Sequence, residues 1–156
     1  MDPPVTRYLP RDGHNPAYGV VGTGPADVVW FFDIQMHLDL LWTDPHMHSL
    51  FERLATYSRA VYFQRRGFGL SDPVDHVPTV EQQAEDVLAV MDAEQVRHAS
   101  FVGIHSTCGP QVLVAATAPE RVNASMLVAP FCEPLLDTGR TLHGWTETEV
   151  TAFVDG

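Results

Sequence analysis

Between residues 60 and 128 the hydrophobic period switches repeatedly between two and 3.6, and few architectures satisfy both. Ala60-Val61-Tyr62-Phe63, Ala99-Ser100-Phe101-Val102 and Ala124-Ser125-Met126-Leu127-Val128 are short apolar runs of strand character. Between them, residues 79–93 set Val80, Ala84, Val87, Leu88 and Met91 on one helical face, with Glu81, Glu85 and Asp86 directed outward and Thr79 as N-cap. Residues 109–118 form a second helix, stopped by Pro119. Strands separated by helices need crossover connections, so they run parallel and are sandwiched between helices. The predicted fold class is α/β.

Upstream, residues 6–9 and 17–21 read as two short strands joined through Arg11-Asp12-Gly13, an antiparallel hairpin ahead of a mostly parallel sheet. Val28-Val29-Trp30-Phe31-Phe32 is a continuous apolar run suited to a strand buried on both faces. Residues 45–55 place Leu50, Phe51 and Leu54 at helical spacing behind Asp44, a cap with Pro45 in the first helical position.

Charge and cysteine content narrow the function classes. Twenty acidic residues against nine basic ones leave a net charge of -11, a surface that repels nucleic-acid backbones and anionic membranes. Arg65-Arg66 is the one basic pair and reads as two solvated loop cations. Cys108 and Cys132 have no CxxC spacing and are too few for a disulfide framework, which suits a reducing, cytoplasmic setting. Met1-Asp2-Pro3-Pro4 does not open a signal peptide, and no run reaches the eighteen or so apolar residues of a membrane span. The eight histidines include no pair at metal-ligand spacing with an acidic companion, and His46-Met47-His48 reads as a solvent-facing helix start. No metal and no cofactor is expected; the expected partner is a small molecule, not a nucleic acid or a membrane.

The chemistry is expected where parallel strands end, because ligands of open parallel sheets bind outside the carboxyl edge. Two loops there stand out. Gln64-Arg65-Arg66-Gly67-Phe68-Gly69-Leu70-Ser71-Asp72-Pro73 follows one strand, with two glycines flanking an aromatic; Gly103-Ile104-His105-Ser106-Thr107-Cys108-Gly109-Pro110 follows the next and leads into a helix. A serine between strand and helix is a candidate nucleophile or simply a helix cap. As a nucleophile it requires a base, a carboxylate to orient that base, and amide donors for the oxyanion. Cys108 reads as a packing residue and Asp72 as a turn former.

In this order the two loops resemble the α/β-hydrolase fold, with its R-G-x-G-x-S-x-P loop and its nucleophile elbow. Thr6-Arg7-Tyr8, His37-Leu38-Asp39-Leu40-Leu41-Trp42, residues 66–73 and Ala115-Ala116-Thr117-Ala118-Pro119-Glu120-Arg121-Val122 resemble, more closely, the α/β-hydrolase modules found beside bacterial adenylate/guanylate cyclase domains. The likeness runs from about residue 6 to about residue 131, the N-terminal half of a typical family domain. Residues 146–154 read as one more short helix. The likeness implies a core over residues 1–132, the start of a cap or lid over 133–156, Ser106 as nucleophile and the amide of Thr107 as oxyanion donor.

The chain departs from the family pattern at three places. Ile104 and Cys108 stand two residues either side of Ser106, where the elbow carries glycines; an alternative register puts His105 at the nucleophile position. Asp33 follows the strand ending at Phe32, where the family offers an oxyanion amide. The triad acid and histidine of the family lie on later strands, and no residue here corresponds to them. Two functions are therefore expected: a serine hydrolase for small acyl substrates that needs a further C-terminal segment, or a non-catalytic sensory or interaction module of the same fold linked to cyclase signalling. Residues 124–128 are expected to form an open sheet edge, which favours a homodimer or aggregation.

Overall fold

The computed structural model describes residues 1–11, 13–32 and 36–130. Six strands form one sheet: β1 (Arg7–Tyr8), β2 (Ala17–Val21), β3 (Ala26–Phe32), β4 (Ser58–Gln64), β5 (Ala99–Ile104) and β6 (Val122–Val128). Four helices accompany them: α1 (Leu38–Leu41), α2 (Pro45–Ala55), α3 (Val80–Ala93) and α4 (Cys108–Thr117). The sheet order is β1-β2-β4-β3-β5-β6. β1, β2 and β4 pair antiparallel, whereas β4, β3, β5 and β6 are mutually parallel. The predicted α/β class and the N-terminal hairpin are both present. The expected lid start at 133–156, its helix at 146–154, Cys132 and Asp33 lie outside the described residues.

Local chemistry explains the helix starts. The Asp44 carboxylate accepts from the amides of His46 and Met47, and Pro45 fills the first position of α2, where no amide proton is needed. Thr79 and Gln82 close a reciprocal capping box on α3. α1 is a single turn, capped by His37, which the hydrophobic period did not signal.

The two faces of the sheet bury separate cores. On one, α3 and α4 pack Val87, Val90, Met91 and Val114 against Val29, Phe31, Val61, Phe63 and Phe101. On the other, α1 and α2 pack Leu41, Trp42, Phe51 and Leu54 against Phe32 and Tyr62. Among the described residues no helix is long and apolar enough to cross a membrane.

Three surface expectations are corrected. Asp86 does not point outward; it is fully buried. Arg66 is not solvated either, because its guanidinium grips both oxygens of Asp86 at 2.7 and 2.8 Å. Leu50, assigned to the apolar face of α2, is 40% exposed, and Phe51 and Leu54 carry the packing.

Tyr62 gives the second core a pH limit. Its hydroxyl accepts from the indole N–H of Trp42 at 3.0 Å, and burial, only partly offset by that bond, pushes the phenol up to about 12. In the unfolded chain the phenol ionises near its ordinary value of about 10. The contribution is therefore complete below about pH 10 and is lost as pH rises toward about 12, about 3 kcal/mol at most. Urea midpoints measured from about pH 9 to about pH 12 should fall across this window. In Tyr62→Phe, destabilised throughout by the unpaired indole, that part of the slope should vanish.

Candidate active site at the turn after β5

β3, β4, β5 and β6 are parallel, so the segments leaving Phe32, Gln64, Ile104 and Val128 all emerge at one edge. Phe31 lies opposite both Phe63 and Gly103 in register, which brings the loop after β4 and the turn after β5 to either side of the end of β3. The edge expected to carry the chemistry is the one the topology builds.

The loop after β4 is held by its own side chains. Gly69 has φ +56°, and a Cβ there would collide with the side-chain amide of Gln64. That amide accepts from Leu70 N–H at 2.9 Å and donates to the carbonyl of Met36. The Ser71 hydroxyl donates to Gln64 O at 2.7 Å and accepts from Ala17 N–H at 2.8 Å. Asp72 accepts from the backbone and side-chain amides of Asn15, tying the loop to the N-terminal segment. Arg65 lies over the Phe68 ring, 4.3 Å from its centroid. Gly67, Phe68, Val74, His76 and Val77 line an open groove of about 200 Å³ beside it. The Asp75 carboxylate, with help from Gln82, raises the His76 imidazole above its ordinary value.

The turn after β5 is sharp. Ile104 is still extended, with φ -126° and ψ 132°; His105 takes φ +52°; and Thr107 is helical at φ -76° and ψ -8°. Residues His105–Thr107 form one 3-10 turn that runs directly into α4. Ser106 and His105 are half-buried, whereas Thr107 is buried. The Thr107 hydroxyl accepts from Ile104 N–H at 2.9 Å, and its proton lies within reach of Ile104 O at 2.8 Å and Phe31 O at 3.1 Å. This side-chain clamp between the turn and β3 was not foreseen; Thr107 was singled out for its amide alone. Gly103 faces α4, where a Cβ would strike the side-chain oxygen of Gln111, a fully buried residue. Cys108 is buried at the first position of α4.

The structure thus sets Ser106 and Thr107 at the expected edge, but the residue with positive φ is His105. Among the described residues no group of three or more His, Cys, Asp or Glu is placed to hold a metal ion.

No protein-family model matches the sequence, and no curated protein matches it. Solved structures do match. A hydrolase from Pseudomonas aeruginosa superposes with a TM-score of 0.69 at 25% identity, over 80% of this chain and 46% of that one. An N-acyl homoserine lactone degrading enzyme gives 0.67 at 25% identity, over 80% of this chain and 45% of its own. The enol-lactonase from Burkholderia xenovorans gives 0.65 at 22% identity, over 84% of this chain and 46% of its own. This is the α/β-hydrolase fold. The chain spans about half the length of the structures it matches.

Proposed function

We propose that this chain forms the nucleophile side of a hydrolase site for small esters, lactones or amides, centred on the turn from Gly103 to Thr107. The observation that carries the reading is the strand-to-helix turn at the carboxyl end of β5, sharp enough to need a positive φ and clamped to β3 through Thr107. Solved structures of this fold that act as a hydrolase and a lactone-degrading enzyme support the reaction class. In the register counted back from Gly109-Pro110, Ser106 is the nucleophile and the amide of Thr107 the oxyanion donor. The base that takes the nucleophile's proton would come from a further segment or a partner chain. No cofactor is required for this chemistry.

A second reading has its own support, because the residue at the apex of the turn is not a serine. In that reading the chain is a sensory or interaction module that keeps the cleft and binds a small acyl ligand without cleaving it, with cyclase signalling as its setting. The two readings separate with a fluorophosphonate probe applied to the purified protein after circular dichroism has established folding. An adduct on the peptide containing residues 103–107 is the expected result. A folded, unlabelled protein would overturn serine hydrolysis by this chain on its own and favour the binding module.

A further inference from the structure

We infer that His105, rather than Ser106, is the nucleophilic residue of this elbow. The inference rests on the proposed hydrolase reading and changes the atom that attacks. Two independent features of the turn point to it. First, the strained backbone falls on His105. A positive φ strains a non-glycine residue, and in this fold the strained residue between strand and helix is the one lifted above the strand ends. The other described non-glycine residues with positive φ are Gln95, which follows a helix and precedes β5, and Ala129, which follows β6. Second, taking His105 as the apex places Gly103 two residues before it, where the elbow requires a glycine. A Cβ at Gly103 would meet the side-chain oxygen of the buried Gln111, which would have to move aside. His105 opens the 3-10 turn and Ser106 follows within it. The Ser106 amide, not that of Thr107, then follows the apex and takes the donor position.

An imidazole nucleophile changes the chemistry the site needs. The lone pair of a neutral ring nitrogen adds directly to an acyl carbon, so no separate base has to remove a proton first. The tetrahedral adduct collapses as the bond from acyl carbon to leaving oxygen breaks, and the leaving oxygen departs with the electron pair. The acyl-imidazolium gives its remaining ring proton to water. A second water adds to the acyl carbon; as the carbon–nitrogen bond breaks its electron pair returns to the ring, one proton of that water passes to the ring to restore neutral imidazole, and a carboxylic acid is released. Water is the only co-reactant. The substrate class is narrowed to esters and lactones whose leaving group is an aryl or enol oxygen. An alkoxide leaves less readily than imidazole, so alkyl esters would return to reactants.

The test compares p-nitrophenyl acetate with ethyl acetate, using the full chain, His105→Asn and Ser106→Ala. Asparagine tolerates positive φ, so His105→Asn should fold as well as the parent, checked by circular dichroism. The expected result has three parts. The aryl ester alone should be turned over; His105→Asn should lose about 100-fold in kcat/KM and at least tenfold more than Ser106→Ala. Acid-quenched samples should carry the acetyl group on His105. Loss concentrated in Ser106→Ala, with acetyl on Ser106, would overturn the inference and leave the hydrolase reading standing. Turnover by the parent no faster than by free imidazole at equal concentration would overturn the inference, because an imidazole nucleophile needs no base from elsewhere, and would leave the hydrolase reading to the fluorophosphonate probe.

Discussion

Replacing Asp86 with alanine should lower the unfolding free energy by about 3–5 kcal/mol, the range found when one partner of a buried ion pair is removed. The carboxylate is fully buried in α3 and receives both Arg66 nitrogens at 2.7 and 2.8 Å, His14 Nε2 at 2.9 Å, and Arg11 Nε more distantly at 3.9 Å. Removing it leaves the buried Arg66 guanidinium without its carboxylate, its bond to the Gln82 carbonyl remaining, and that uncompensated charge, more than the lost attraction, sets the size of the effect. The comparison is Glu85→Ala, one residue earlier and exposed, which should shift the denaturant midpoint little. A double change of Asp86→Leu with Arg66→Met should recover most of the loss, because a well-packed apolar pair avoids the desolvation of both ions. Equal, small effects at 85 and 86 would mean that Asp86 is hydrated in solution. The loop after β4 should loosen in the single variant, with faster amide exchange at Gly67 and Ser71, because Arg66 anchors that loop to α3.

Phe51→Ala should cost a similar amount, about 3–5 kcal/mol, for a different reason. The ring has no exposed surface and sits among Trp30, Phe32, Trp42 and Tyr62, with centroids 5.0 to 6.0 Å away. Four stiff aromatic neighbours cannot collapse into the vacated space, so the transfer loss and the cavity penalty add. Leu50→Ala, on the neighbouring and 40% exposed position, should cost less than about 1 kcal/mol. Chemical denaturation of both variants reads the phase of α2 directly. Equal losses would mean that the helix is rotated from the orientation described.

These two sites also show what a sequence discloses. The ends of α2 and α3 were legible because Asp44, Pro45, Thr79 and Gln82 act on amides within three residues. Asp86 was misread because helical periodicity sorts a carboxylate outward. The residues that make its burial tolerable, Arg66 and His14, lie 20 and 72 positions away. α1 escaped notice because a single turn has no period to detect. At the site, the glycines of the loop after β4 marked it from the start, and the parallel strands fixed its edge. The register of the next turn was not legible. One residue beyond the usual elbow can be counted in from Gly103 or back from Gly109, and only the backbone shows that φ becomes positive at His105.

The two borders of the sheet differ. β1 is two residues long, whereas β6 runs seven residues without a charged side chain, exposed from Asn123 to Val128. Among the described residues, then, β6 is the border long enough to accept a further strand along its whole length, while β1 offers two residues to one.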